Sequence, residues 1–167
     1  MKTLETKRLI LRDWRETDLE DMFAFLSDPD VTIPEGASPC KTLEECRRVL
    51  DHLIEKKNNY AIEWKKDGTV IGSIGLNEDA KRDPHVRNLG FCLARPYWSQ
   101  GIMSEALVSV VAYAKEITTA LSATHNCNPR SEHLLLKLGF QQVDVIKGVK
   151  RKVDPDVHDE PYYLLVL

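Results

Sequence analysis

The feature that most constrains the fold is a change of hydrophobic period in the middle of the chain. Val86 to Ala94 alternates between apolar and polar residues, as a β-strand does. After Pro96 the apolar residues recur at helical spacing from about Gly101 to Lys115, which predicts an amphipathic helix. A strand that passes through a short polar turn into a long helix indicates a mixed α and β domain.

The alternation of strand and helix patterns extends to both sides of this unit. Further strands are predicted over Leu9 to Asp13, Tyr60 to Trp64, Thr69 to Leu76, Thr118 to His125, Phe140 to Ile146 and Tyr162 to Leu167. Further helices are predicted over Asp18 to Ser27, from the capping box of Thr42 and Glu45 toward Lys57, and over Pro129 to Leu138. Thr32 to Pro39 is expected to be loop. Because repeats and linker-like stretches are absent, we expect one domain over residues 1–167.

Composition excludes several classes of function. With 43% hydrophobic and 29% charged residues, the 167-residue chain has the usage of one soluble domain. A formal net charge of −3 disfavours nucleic acid as a partner, although Lys147 to Lys152 is a basic run with a solvated loop as its plainer interpretation. No apolar run approaches the ~20 residues that span a bilayer, and charges interrupt the start of the chain. We therefore expect a cytoplasmic protein with no membrane contact.

Cysteine and histidine spacing predicts neither a disulfide framework nor a metal site. No paired-cysteine motif occurs, so reduced structural thiols are expected. The histidines have no close metal-ligand spacing, and no metal is expected. The cysteines are Cys40, Cys46, Cys92 and Cys127, and the histidines are His52, His85, His125, His133 and His158.

The turn between the strand and the long helix, Arg95 to Ala106, could bind phosphate. A helix start presents unpaired backbone amides at the positive end of its dipole, which suits a pyrophosphate. Gly101 would let the backbone approach a ligand closely, and Ser104 could donate a hydroxyl. The same residues also have a purely structural explanation, in which the glycine only permits the turn and Ser99 caps the helix.

A second group of polar residues follows about 25 residues later in the chain. Asn126 to Ser131 precedes a helix that ends before Gly139 and Phe140. The segment also has a purely structural explanation, in which Asn128 caps the helix, Pro129 is its first residue and Gly139 ends it.

Both groups occur in one chain in the order found in the GNAT acetyltransferases, which the sequence resembles over essentially its whole length. Within that superfamily it is similar to the ribosomal-protein N-terminal (alanine) acetyltransferase branch. The matching segments are Glu5 to Arg12, Ile71 to Leu76, Tyr97 to Ala106, Asn128 to Ser131 with Lys137 to Phe140, and His158 to Glu160.

The resemblance implies an α+β fold with flanking helices. Its mixed, mostly antiparallel sheet would splay between the fourth strand, Val86 to Ala94, and the fifth, Thr118 to His125. Acetyl-CoA is the implied co-substrate, with pantetheine paired to Phe91 through Leu93 and pyrophosphate held by amides from Ser99 to Ser104. The residues expected to bind it are Phe91, Cys92, Leu93, Trp98, Ser99, Gln100, Gly101, Ile102, Met103, Ser104, Asn128, Ser131 and Lys137.

The chain departs from the subgroup pattern at two positions. Ser99 replaces the first glycine of the loop, at some cost in conformational freedom. Asn88 replaces a frequent glutamate two residues before Gly90, so a carboxylate that could serve the acceptor amine is missing. The general base is therefore not assigned by the resemblance.

The chemistry of acetyl transfer requires an acid, an oxyanion donor and a base. The resemblance implies Ser131 as the acid and a backbone amide near Leu93 as the donor. Candidate bases are Glu78, Asp79, His125, Asp159 and Glu160, each of which has an ordinary solvated or structural explanation.

The expected acceptor is a primary amine, and the absence of a dedicated base favours a protein or peptide N-terminal α-amine. An α-amine with a pKa of ~7.7–8.0 is about 10–15% neutral at pH 7, whereas a lysine amine with a pKa of ~10.4 is neutral in about 0.04% of molecules. A small-molecule amine or antibiotic acetyltransferase, and a CoA-binding module without turnover, remain alternatives. Either a monomer or a homodimer is compatible with the sequence.

Overall fold

The computed structural model describes residues 1–79, 83, 85–124, 128–151, 153 and 156–167. Its helices are α1 (Leu19–Leu26), α2 (Pro29–Thr32), α3 (Leu43–Lys56), α4 (Ile102–Ile117) and α5 (Pro129–Lys137). Its strands are β1 (Leu4–Glu5), β2 (Leu9–Arg12), β3 (Asn59–Trp64), β4 (Val70–Glu78), β5 (Val86–Leu93), β6 (Ala120–Thr124), β7 (Gln141–Lys150) and β8 (Val157–Val166).

The described strands form one 8-stranded sheet in the order β1-β2-β3-β4-β5-β6-β8-β7. Every neighbouring pair is antiparallel except β5 and β6, which are the predicted fourth and fifth strands. Their parallel pairing joins Val86–Asn88 to Ala120–Ser122 and then stops, although β5 continues to Leu93. The two strands therefore diverge beyond Asn88, which confirms the predicted splay and leaves one edge of β5 open.

Helices cover both faces of the sheet because alternate strand residues face opposite sides. Tyr60 and Ile62 of β3 belong to the core cluster that contains α4 residues such as Ala106, whereas Ala61 belongs to the cluster with Leu50 of α3. Each large apolar side chain buried in these clusters stabilises the fold by about 1.5–3 kcal/mol. The sheet is thus a rigid platform on which the ends of β5, α4 and α5 are fixed.

A buried charge network fixes the chain between β2 and α1. The Arg12 guanidinium binds Asp18 through two hydrogen bonds of 2.8 and 2.9 Å, and it also pairs with Glu63 on β3. Arg12 and Asp18 are each 5% exposed. Because the loss of one partner would leave a buried charge uncompensated, this network is a sensitive point for stability.

The helix starts follow the signals in the sequence. The Thr42 hydroxyl accepts a hydrogen bond of 3.2 Å from the Glu45 amide, and the Glu45 carboxylate reaches back to the Lys41 amide at 2.7 Å. These two bonds satisfy amide groups at the start of α3 that have no partner within the helix. The predicted start of this helix is confirmed.

The prediction of loop from Thr32 to Pro39 is wrong at its beginning. Asp28 accepts a hydrogen bond of 3.0 Å from the Asp30 amide and so caps α2, in which Pro29 is the first residue. A single 3-10 turn over Ile33–Glu35 follows directly. This compact arrangement lies against β5 and supplies one wall of the cleft described below.

The last two strands are longer than the sequence predicted. β8 begins at Val157 rather than Tyr162, because β7 pairs with it along a long antiparallel hairpin that includes Val149 opposite His158. Within the described ranges, no helix combines the length and the apolar character needed to cross a membrane.

Candidate active site

A cleft of about 450 Å³ opens along the unpaired edge of β5. Its walls come from the end of β5, the turn into α4, the start of α5 and the segment that contains α2 and the following 3-10 turn. The lining residues are 30–31, 34–35, 91–93, 97–99, 101–104, 128–131 and 133–134. Segments far apart in sequence therefore meet where β5 and β6 separate.

The backbone of β5 presents polar groups to this cleft. The Ala94 amide donates to the Ile71 carbonyl at 2.8 Å, which fixes the alternation of backbone groups along this edge. Every second residue of β5 directs its amide and carbonyl toward β4, and the residues between them, Phe91 and Leu93, direct theirs toward the splay. The Leu93 carbonyl accepts a hydrogen bond of 2.7 Å from the Trp98 indole, and the Glu35 carboxylate lies near the Phe91 amide. These are the backbone groups that the resemblance assigns to pantetheine.

The turn into α4 has the backbone shape that the glycine predicted. Gly101 adopts a left-handed conformation with φ +71° at the N-cap of α4, and Ser99 adopts φ +60° without being glycine. Ile102 and Met103 line the cleft, yet they are buried members of the core. The polar groups that this helix start can offer a ligand are therefore its backbone amides.

The N-terminal strand region braces this turn. Glu105 in the first turn of α4 accepts hydrogen bonds from the Thr6 hydroxyl at 2.6 Å, the Arg8 amide at 2.9 Å and the Arg8 Nε at 2.7 Å. Although desolvation opposes the effect, these bonds and the charge of Arg8 hold the pKa of Glu105 below its usual value. Arg8 also donates to the Gln100 carbonyl at 3.1 Å, which places a cation beside the turn into α4. The sequence did not predict this cation.

Two predicted binding residues do not line the cleft. The Gln100 side chain turns back to the Pro96 carbonyl at 2.8 Å. The first turn of α5 lines the cleft, whereas Lys137 is the last residue of this helix. Because a helix rises about 1.5 Å per residue, Lys137 lies nearly the full length of α5 from the cleft.

The start of α5 brings the second predicted group into the cleft. The Asn128 side chain accepts a hydrogen bond of 3.3 Å from the Ser131 amide, and Ser131 is 7% exposed. Arg130 lies 4.6 Å from the centre of the Trp98 ring, a cation–π contact that fixes a second positive charge at the cleft wall. The structure therefore brings Asn128, Ser131 and Trp98 together.

The first predicted base, Glu78, does not line the cleft. Glu78 forms an ion pair of 3.2 Å with Arg87. On β4 the residue opposite Cys92 of the cleft is Ser73, and Glu78 lies five residues beyond Ser73, or about 17 Å along the strand. Glu78 cannot reach an amine in the cleft from that position. The second candidate, His125, lies outside the described residues.

The remaining candidate bases are engaged elsewhere. Asp79 accepts hydrogen bonds from the Ser122 hydroxyl at 2.6 Å and the Tyr162 hydroxyl at 2.9 Å. Asp159 pairs with Lys147 at 2.7 Å, and this bond and the Gly148 amide lower the pKa of Asp159.

Glu160 is 4% exposed and forms an ion pair of 2.5 Å with Arg151. Two side chains of the basic run from 147 to 152 are thus paired within their own hairpin.

Two carboxylates line the cleft, Asp30 and Glu35, and no motif in the sequence marked either of them. Glu35 ends the 3-10 turn and keeps an exposed surface at the cleft rim, while its carboxylate lies among protein groups. The surroundings of the carboxylate govern its titration, and desolvation raises the pKa of Glu35 to about 7, against the opposing effects of Arg151 and the Phe91 amide.

The described cysteines are free thiols, as predicted: Cys40 and Cys46 are buried, and Cys92 lines the cleft. Burial raises the pKa of Cys92 to about 12, so its thiol is a poor nucleophile at neutral pH. Cys127 lies outside the described residues, and among those described no group of three or more potential metal ligands occurs.

Comparisons with known proteins agree with this architecture. Residues 8–141 match the model of the Acetyltransferase (GNAT) domain family. The uncharacterized N-acetyltransferase YoaA of Bacillus subtilis (strain 168) is 30% identical over 152 residues, which cover 86% of this chain and 85% of YoaA.

Solved structures share the fold. A GNAT-family acetyltransferase from Bacillus anthracis superposes with a TM-score of 0.87 at 21% identity over 99% of this chain and 98% of the other. RimL, a ribosomal L7/L12 alpha-N-protein acetyltransferase in complex with coenzyme A, superposes with a TM-score of 0.79 at 15% identity over 99% and 98% of the two chains. The chain therefore belongs to the GNAT acetyltransferase family and is an acetyl-CoA-dependent N-acetyltransferase.

Proposed function

We propose that the protein transfers the acetyl group of acetyl-CoA to the α-amine at the N-terminus of a protein or peptide. The observation that carries this proposal is the charge of the cleft. Its described lining includes two carboxylates, Asp30 and Glu35, and the cation of Arg130. Asp30 also pairs with Arg95 at 3.0 Å, an arginine that it shares with Asp28. A cleft without excess negative charge disfavours polycationic small amines, which need several carboxylates.

The described residues fit acetyl-CoA in the orientation that the resemblance implies. The amides at the start of α4, opened by the left-handed Gly101, suit the pyrophosphate, and the cations of Arg8 and Arg130 lie close to that end. The backbone of Phe91 and Leu93 faces the space for pantetheine, although the Leu93 carbonyl already accepts from the Trp98 indole.

Asn128 and Ser131 lie on the opposite wall, where we place the thioester. Acetyl-CoA supplies the activated acyl group, and the protein orients it and moves protons.

In the proposed reaction the nitrogen lone pair of a neutral amine forms a bond to the acetyl carbon, and the carbon–sulfur bond breaks with its electron pair going to sulfur. A backbone amide of β5 donates to the developing oxyanion, which stabilises the transition state more than the ground state. The Ser131 hydroxyl gives a proton to the departing thiolate and regains one from the nitrogen. Buried beside the Asn128 cap, Ser131 has a fixed backbone from which to act.

The pKa of the acceptor supports the α-amine over a lysine side chain. A lysine acceptor requires about 3–4 kcal/mol more than an α-amine to reach its neutral form at pH 7. RimL is named as an alpha-N-protein acetyltransferase of ribosomal L7/L12, so the shared fold accommodates a chain terminus in at least one relative.

Matched peptides test the proposal. One peptide has a free N-terminus and blocked lysines, and the other is acetylated at its N-terminus and has free lysines. We expect the first to give the higher kcat/KM at pH 7, measured by release of the CoA thiol. A preference for the free-lysine peptide at pH 7 would contradict the N-terminal assignment. Acetyl-CoA binding by calorimetry without thiol release from any amine would instead indicate a binding module without turnover.

A further inference from the structure

The carboxylate of Glu35 lies at the splay of the sheet. It lies near the Phe91 amide, and Phe91 is three residues beyond Asn88, where the pairing of β5 with β6 ends. Ser131 lines the same cleft from the opposite wall. Glu35 therefore lines the same cleft as Ser131, next to which we place the thioester and the acceptor nitrogen.

The side chain of Arg151, which follows β7, packs against the residue after Glu35. A Cβ added at Gly36 would lie 2.3 Å from the Arg151 Nη1, so the guanidinium lies directly against the Gly36 backbone, which has φ +76°. Arg151 in turn binds the buried Glu160 at 2.5 Å. The glycine after Glu35 thus permits a cation to approach this segment closely, and the charge of Arg151 favours the ionised form of Glu35.

The groups around Glu35 make its carboxylate responsive near neutral pH. Arg151 and the Phe91 amide stabilise the charged form, the Cys92 thiol lies next to it, and desolvation outweighs both stabilising groups and raises the pKa of Glu35 to about 7. Asp30, His133 and Arg130 line the same cleft. A base whose pKa lies near the operating pH combines adequate basicity with a substantial deprotonated fraction.

We propose that Glu35 is the general base of the reaction, a role that rests on the acetyl transfer to an α-amine proposed above. The Glu35 carboxylate takes one proton from the acceptor ammonium and leaves the neutral amine to attack the acetyl carbon. After the thiolate has left with the proton that Ser131 delivers, Glu35 releases its own proton to solvent. The other carboxylates considered are remote from the cleft or held by the partners described above.

The test compares Glu35→Gln with the wild type and with Glu44→Gln, the same chemical change on an exposed side chain of α3 that does not line the cleft. Glutamine keeps the size of the side chain and a carbonyl that can accept from Phe91, so acetyl-CoA affinity measured by calorimetry should stay at the wild-type value and verify the fold. On the free-N-terminus peptide at pH 7, kcat/KM should fall about 10²–10⁴-fold.

Two further readouts separate a base from a residue that only supports the cleft. The deficit of Glu35→Gln should shrink at pH 9, where most α-amines, with pKa ~7.7–8.0, are already neutral. An aniline acceptor, which is neutral at pH 7, should be acetylated by the variant at a rate close to that of the wild type. A uniform loss at both pH values and with both acceptors would overturn the proposal.

The failures of the two proposals are distinguishable. If the wild type releases no thiol with any amine, acetyl transfer itself is contradicted. If the wild type is active and Glu35→Gln retains its kcat/KM at pH 7, Glu35 is not the base while the proposed function stands.

Discussion

Replacement of Gly101 by alanine tests the backbone geometry on which co-substrate binding depends. Gly101 has φ +71°, and a Cβ built there meets only the Arg8 guanidinium at 3.9 Å, an ordinary contact. The cost therefore comes from the left-handed backbone, about 1–2 kcal/mol for a residue with a Cβ. Alanine recovers about 0.4–1 kcal/mol by restricting the unfolded chain. We expect a net loss of about 1 kcal/mol of unfolding free energy.

Ser99→Gly provides a control of opposite sign in the same turn. Ser99 already adopts φ +60°, so its replacement by glycine relieves a backbone strain similar to the one that alanine would introduce at Gly101. Glycine also makes the unfolded chain more flexible, which offsets part of this gain in stability. Since 1 kcal/mol corresponds to about 2–4 °C in a domain of this size, Gly101→Ala should lower Tm by that amount and Ser99→Gly should raise it. Thermal unfolding by calorimetry measures both.

Binding of acetyl-CoA provides the functional readout of the same pair. If the turn shifts to relieve the strain, the amides at the start of α4 move from their positions, and we expect Gly101→Ala to weaken acetyl-CoA binding about tenfold, or 1.4 kcal/mol. An alanine variant that matches the wild type in both Tm and Kd would refute the role assigned to this glycine.

Three other predictions follow from the structure. Ser131→Ala should lower kcat about 10²-fold with little change in the Kd of acetyl-CoA, because a thiolate is a fair leaving group even without an acid; an unchanged kcat would refute the acid role. Asp18→Asn should lower the unfolding free energy by about 3 kcal/mol in urea titrations, at the low end for a broken buried pair because Arg12 keeps Glu63. Glu35→Gln should gain stability relative to the wild type as pH rises. The folded-state pKa of Glu35, about 7, exceeds its ordinary value of 4.5, so the folded wild type binds more protons across that window and loses stability through it. A Tm difference between the two proteins that is constant from pH 5 to pH 8 would contradict the raised pKa.

Much of the co-substrate side of the cleft was predictable from local sequence. The turn at Gly101 and the cap at Asn128 are properties of a few consecutive residues, since a left-handed glycine and an amide-accepting side chain act within one helical turn. Gln100 and Lys137 belong to the same motifs but do not line the cleft. The Gln100 side chain binds the Pro96 carbonyl, and Lys137 lies at the far end of α5, so motif membership alone did not place either residue in the site.

The acceptor side was not predictable in this way. Glu35 stands in a segment that the sequence predicted to be loop, and no motif marks it. Its contacts with Phe91 and Arg151 join three parts of the chain that come together only after the sheet has formed and the hairpin has folded back. Desolvation, which sets its pKa, depends on all of these neighbours at once.

The amino-acid sequence by itself predicted most strands and helices in order, the glycine turn before α4 and the GNAT family, because hydrophobic period, helix capping and glycine conformation are short-range properties. It missed the two-residue strand β1 and the short helix α2. Only the tertiary structure decided which carboxylates line the cleft. In the folded protein Glu78 lies far along β4 and pairs with Arg87, and Glu160 is paired with Arg151. Glu35, by contrast, lies near Phe91 at the splay. The physical reason is that charge, burial and distance in a site depend on residues remote in sequence, whose positions are fixed by packing of the core.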